Sequence, residues 1–188
     1  IVLDHGRIIY DGDVEEAIEL YLGVRNFTGA DIELASIERE PAFADCPSRM
    51  VSLMLENASG HYQMNSVLRG RLRVTSTVNA DNVILGIYFL CHGVAITSMK
   101  SAASIQLRKD AVAEIPFEVD LERLAPARYT TKIVLSQMNE SGGAKYYDAI
   151  MDGYSFSIEQ APGFMHNQPW KTKYNGFLTG SEVKLLSE

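Results

Sequence analysis

Nine short apolar runs at near-regular spacing, separated by turn-forming residues, constrain this chain more than any other feature of its sequence. They fall at residues 32–39, 50–56, 67–78, 83–90, 94–99, 113–119, 129–138, 145–151 and 154–159. Short strands in such a series predict a β-sandwich or a barrel.

Three runs carry a period of two that assigns their faces. In Leu68-Arg69-Gly70-Arg71-Leu72-Arg73-Val74 the even positions are small or apolar and the odd ones all arginine, so one face is buried and the other basic. In residues 83–90 the set Val83, Leu85, Ile87 and Phe89 is wholly apolar, which turns Tyr88 outward. In residues 129–138, Tyr129, Thr131, Ile133 and Leu135 form the expected core row and leave Lys132, Val134 and Ser136 outside. His92-Gly93 then reads as a hairpin turn. Leu121–Pro126 predicts one helical turn crossing between sheets. Tyr129 behind it resembles the corner tyrosine of immunoglobulin-like sandwiches, whose hydroxyl bonds back to the preceding connection. The expected fold class is all-β, an immunoglobulin-like antiparallel β-sandwich with a short N-terminal α/β remnant.

Residues 1–22 differ in character. Two apolar runs meet at His5-Gly6 and close at Asp11-Gly12, a hairpin signal. Asp13 is then placed to cap a helix with Glu15 and Glu16 in its first turn and Ile18 and Leu22 on one face. The pattern Leu-x-x-Gly-Arg-Ile-x-x-Asp-Gly-x-x-x-Glu-x-Ile-x-x-Tyr-Leu resembles the C-terminal end of an ABC-transporter nucleotide-binding domain. No Gly-x-x-x-x-Gly-Lys-Ser/Thr loop occurs in the 188 residues, so ATP hydrolysis is not expected of them. The chain therefore reads as a fragment downstream of an ATPase, with a tail at 1–22, a linker at 23–30 and a sandwich domain at 31–188.

Composition narrows the function. The formal charge of −7 opposes general nucleic-acid binding, which needs a basic face to displace counterions. Cys46 and Cys91, with His5, His61, His92 and His166, are scattered without metal spacing, so structural roles are expected and no metal or cofactor is. No apolar run is long enough to cross a bilayer, and the expected location is the cytoplasm.

Residues 162–180 are aromatic-rich and aperiodic, yet lead to an alternating segment, Glu182-Val183-Lys184-Leu185-Leu186. A strand on so long a tether pairs with its own sheet or with that of a second copy. Trp170 and Tyr174 are expected to pack the tether onto the sandwich. An ATPase-like tail, a linker, and a sandwich ending in Tyr154-x-Phe156-x-Ile158 before a Pro-Gly, Trp170 and a final valine-containing strand together resemble the C-terminal region of the Wzt family. These are ATP-binding subunits of bacterial ABC exporters for O-antigen polysaccharide, and teichoic-acid exporters share the layout. The resemblance implies a non-catalytic carbohydrate-binding domain that recognises the finished, often capped, non-reducing end of a lipid-linked O-antigen polysaccharide. It also implies a homodimer with exchanged C-terminal strands, here through Val183 and Leu185. A third implication is a transmembrane transporter subunit as partner, at the inner face of the inner membrane. Ala127-Arg128 departs from the glycine usual before the corner tyrosine.

Sugars are held by planar polar groups and by stacking of their C–H faces on aromatic rings. The candidate carbohydrate-binding residues are Tyr88, Lys132 and Ser136 on the outer rows, with Tyr147 and Asp148, clustered with Tyr146 near the Gly142-Gly143 turn, as a loop-borne edge or as packing. Arg69, Arg71 and Arg73 are candidate anion-binding residues, unless carboxylates balance them as a solvated strand face. Asp148 and Asp152 invite a glycosidase reading, but their spacing fixes no cleft. A structural dimerisation module and a protein-interaction module of a transporter ATPase are the competing functions.

Overall fold

Period-two alternation in the long runs produces two sheets that share their apolar faces. A computed structural model of the protein describes residues 1–14, 17, 31–139 and 143–179. Strands are labelled in chain order. Within the described residues, a four-stranded sheet runs β10 (Val112–Asp120), β6 (Val67–Ser76), β4 (Ser48–Leu55) and β3 (Asp31–Glu33). A seven-stranded sheet runs β5 (His61–Gln63), β13 (Ser155–Glu159), β11 (Ala127–Met138), β7 (Ala80–Cys91) and β8 (Val94–Lys100). In that sheet β12 (Ala144–Ile150) also pairs with β11, and β9 (Ile105–Leu107) with β7. Pairing in both sheets is antiparallel except between β5 and β13. The fold is an all-β sandwich.

The expected core rows are the observed ones. Val83, Leu85, Ile87 and Phe89 are buried, as are Tyr129, Thr131, Ile133 and Leu135. Across from them Leu68, Leu72 and Val74 of β6 and Ile115 and Val119 of β10 close the layer. Phe156 is the hub of an aromatic cluster, stacked on Tyr129 and Tyr154 and edge-on to Tyr62 and Phe89 with centroids 5.5 to 6.0 Å apart. Such contacts add to the burial of their area. Burial pushes the Tyr62, Tyr129 and Tyr154 hydroxyls above the usual tyrosine range.

His-Gly makes both predicted hairpin turns. β1 (Val2–Asp4) and β2 (Arg7–Tyr10) join through His5 and Gly6 at φ 45° and 78°, and β7 and β8 through His92 and Gly93 at φ 49° and 75°. Two consecutive left-handed residues match the strand twist of a two-residue hairpin. The corner tyrosine is present despite Ala127-Arg128. The Tyr129 hydroxyl lies 2.9 Å from the Ala125 carbonyl and 3.1 Å from that of Phe177. It thereby ties the C-terminal segment to the crossover, where the Ala125 N–H donates to Phe177, Thr179 donates to Arg123, and Leu178 bridges Leu124.

Some expectations are corrected. The run 32–39 is a strand only through Glu33, because the chain then turns so that the Arg39 guanidinium enters the interior. There Arg39 donates Nε and Nη2 to the two carboxylate oxygens of Asp148, both at 2.8 Å. It also donates to the carbonyls of Leu34, Ile37 and Met50, while the Met50 and Ala149 amides donate to the same carboxylate. Strands β5 and β9, three residues each, went unpredicted. Trp170 holds the tether together, its indole N–H donating to Gly176 and its ring lying 5.7 Å from Phe164, which packs against the core. Tyr174 does not, being 75% exposed in a single helical turn (Thr172–Asn175). The linker at 23–30, most of the N-terminal helix, and Val183 and Leu185 lie outside the described residues.

Candidate functional site

The register of β11 against its neighbours decides which outward side chains meet. Lys132 is directly opposite Tyr88, and Tyr88 opposite Ser98 of β8. One step along, Ala149, Val134, Gly86 and Lys100 form the next cross-strand row, then Tyr146, Ser136 and Ile84. Two of the expected residues, Tyr88 and Lys132, are thus immediate neighbours, and Ser136 lies four residues along the same strand face.

Gly86 shapes this surface. A Cβ there would lie 3.4 Å from Cε2 of Tyr88, so the tyrosine ring leans along its own strand over the glycine. A half-buried aromatic ring lies against the sheet, its body apolar and its hydroxyl at the rim. Val134, expected outside, is on the outer row yet only 8% exposed. The patch around Tyr88 is therefore apolar at its centre and polar at its margin, where Ser98 and Lys100 are exposed and Lys132 and Ser136 half-buried. Among the described residues neither Lys132 nor Lys100 has a salt-bridge partner. Such a face can stack the C–H side of a ring and donate hydrogen bonds around it.

Tyr147 and Asp148 are corrected: both are buried, so neither forms an accessible binding edge. The β12 register slips opposite Leu135 and Ser136, which leaves Tyr147 as an extra residue. A bulge turns consecutive residues toward one side. Tyr147 donates to Gln137 at 2.9 Å, and Asp148 receives Arg39. Tyr146, opposite Ser136, is the one of the three that remains exposed, with Phe43 edge-on to it at 5.1 Å. The bulge gives no sequence signal, because Lys145-Tyr146-Tyr147-Asp148 reads equally well in either register.

The arginine row is on the other sheet, outward as expected. Every member faces a carboxylate of β10: Arg69 meets Glu118 at 2.7 Å, and Arg71 and Arg73 meet Glu114 at 3.5 and 3.8 Å. This is the balanced strand face rather than an open anion site. A groove of about 620 Å³ runs beside it over Met54, Pro116 and Phe117, with Glu56 adding further negative charge.

The Ser157, His61 and Glu159 side chains resemble a hydrolytic triad in composition only. The serine hydroxyl at 2.9 Å and the carboxylate at 3.4 Å both approach the same ring nitrogen, Nδ1. A relay needs one on each nitrogen. The other carboxylate oxygen of Glu159 accepts from Gln63.

No protein-family model matches the sequence, and no curated protein matches it significantly. Among solved structures, the crystal structure of the C-terminal domain of Wzt superposes with a TM-score of 0.54, covering 69% of this chain and 90% of that one at 14% identity. The chain has the fold of the Wzt C-terminal domain. Spo0M, the sporulation control protein of Bacillus subtilis, overlaps over 62% of this chain at 15% identity with a TM-score of 0.38, and a CARDB domain from Pyrococcus furiosus over 57% at 9% identity with 0.34. Both fall too low to add to the Wzt likeness.

Proposed function

We propose that this chain is a non-catalytic carbohydrate-binding domain of a polysaccharide ABC exporter, recognising the capped or uncapped non-reducing end of a lipid-linked O-antigen. The observation that carries this reading is the outer patch of the seven-stranded sheet, where the Tyr88 ring lies over Gly86 with Lys132 and Ser98 opposite it on the neighbouring strands and Ser136 further along the same face. The Wzt-type fold supports it. In such an exporter the domain would work at the cytoplasmic face of the inner membrane, joined to an ATPase domain that engages the transmembrane subunit. Two copies would pair through Val183 and Leu185.

The test is binding of the chain to an array of bacterial O-polysaccharides, followed by calorimetry on each hit with and without its terminal group. Binding that depends on that group and weakens in Tyr88→Ala or Lys132→Ala supports the reading. Binding to no polysaccharide by folded protein overturns it.

A further inference from the structure

The same sheet face continues past Tyr88 toward β13 and β5. Ser155 is opposite Thr130, and Ser157 opposite Arg128 on one side and His61 on the other. Over these strands is a second groove of about 450 Å³, lined by Ser59, His61, Arg128, Ser155 and Ser157 with Pro126 at its end. That size suits a small ligand. Its lining mixes these polar residues with Ala127, Phe156 and Ile158.

Ser155 is the anomaly in this groove. It is 1% exposed, and its hydroxyl has no hydrogen-bond partner. A buried hydroxyl left unpaired costs free energy that alanine at the same place would avoid. Its neighbours do not supply a bond, since Thr131 is engaged with Tyr154 and the Ser157 hydroxyl with His61. A serine χ1 has three staggered wells, and a ligand site here requires one of them to present the hydroxyl to the groove.

We infer that this groove is a second saccharide subsite, seating one sugar unit through its hydroxyls. Ser155 and Ser157 are two residues apart on one face, roughly 6.6 Å along the strand. That separation suits hydroxyls on opposite sides of one pyranose ring. The Ser155 hydroxyl both donates and accepts, which suits a sugar hydroxyl that does the same. Arg128 lines the groove at its β11 side. Arg128 and Lys132 are four residues apart on β11, roughly 13 Å, so a ring on Tyr88 and a ring in the groove belong to different units of one short oligosaccharide. The inference rests on the carbohydrate reading above and adds that the face reads more than one unit.

The experiment is amide NMR on the full chain titrated separately with free glucose, galactose, mannose, rhamnose and N-acetylglucosamine, and with oligosaccharides cut from any polysaccharide that binds. The expected result is shifts at His61, Arg128, Ser155 and Ser157 with at least one sugar, separable from shifts around Tyr88. In Ser155→Ala those groove shifts are lost, oligosaccharide binding weakens roughly fivefold to tenfold, and the melting temperature is unchanged or higher. Shifts around Tyr88 alone overturn the subsite and leave the proposed function standing. No shift at either place, with any sugar, overturns both. A Ser155→Ala variant that melts lower and binds as before shows a hydroxyl satisfied by buried water, and overturns the subsite.

Discussion

Asp148 shows how one side chain can carry a local structure without touching its surface. Its carboxylate receives the Arg39 fork and two backbone amides, all buried, and so joins β12 to β4 and to the turn after β3. Removing one member of a buried pair strands the other charge, at about 3–5 kcal/mol. Asp148→Ala should therefore lose about that much in denaturant unfolding. The double variant Arg39→Met, Asp148→Leu should recover most of it, since two apolar side chains leave no uncompensated charge. Glycan binding is the contrasting readout. Tyr88→Ala removes a half-buried ring and should weaken polysaccharide binding roughly tenfold, about 1.4 kcal/mol, with little change in unfolding. Sequence made Tyr88, Lys132 and Ser136 legible because strict alternation leaves only one side for them. It left Tyr147 and Asp148 illegible, because a bulge breaks the alternation and a buried arginine 109 positions away cannot be foreseen as the partner of an aspartate in β12.

At the scale of elements, β11 is the organising strand, paired to β7 on one edge and to β13 and β12 on the other. Its inner row is core and its outer row is the candidate face, so Gly86 on the neighbouring strand would act on the proposed binding through shape alone. Gly86→Val places branches against the Tyr88 ring and should weaken polysaccharide binding several-fold while β7 keeps its pairing, read by calorimetry with circular dichroism as control. The corner behaves differently. Tyr129→Phe leaves the ring in the core but removes the hydroxyl that meets Ala125 and Phe177, at a cost of about 1–2 kcal/mol. Hydrogen exchange at the Ala125 and Thr179 amides should quicken more than exchange within β7. The long strands were readable because they repeat a pattern; β5 and β9 were not, because three residues carry less than two periods and their pairing is set by the sheet they join.

For the molecule as a whole, pH acts through its aromatic core. The hydroxyls of Tyr62, Tyr129 and Tyr154 are held above the usual tyrosine value of 10.0 by burial, so these groups keep their protons in the folded state longer than in the unfolded one. Their contribution is fully present below pH 10, and stability falls as pH rises beyond it, because the unfolded chain ionises first. An absorbance titration should find Tyr62, Tyr129 and Tyr154 ionising only as the protein unfolds. The Arg69, Arg71 and Arg73 row faces its carboxylates in water and should leave both this profile and the fold unchanged when replaced by glutamine.

The division of β11 into two rows has an evolutionary consequence. Tyr129, Thr131, Ile133 and Leu135 answer to packing, whereas Arg128, Thr130, Lys132 and Ser136 are half-buried on the outer row. Mutations in the second set do not repack the first, so descendants of this chain are free to exchange one outer surface for another while inheriting the same interior. Drift to low sequence identity with a retained fold is the expected record of such a history.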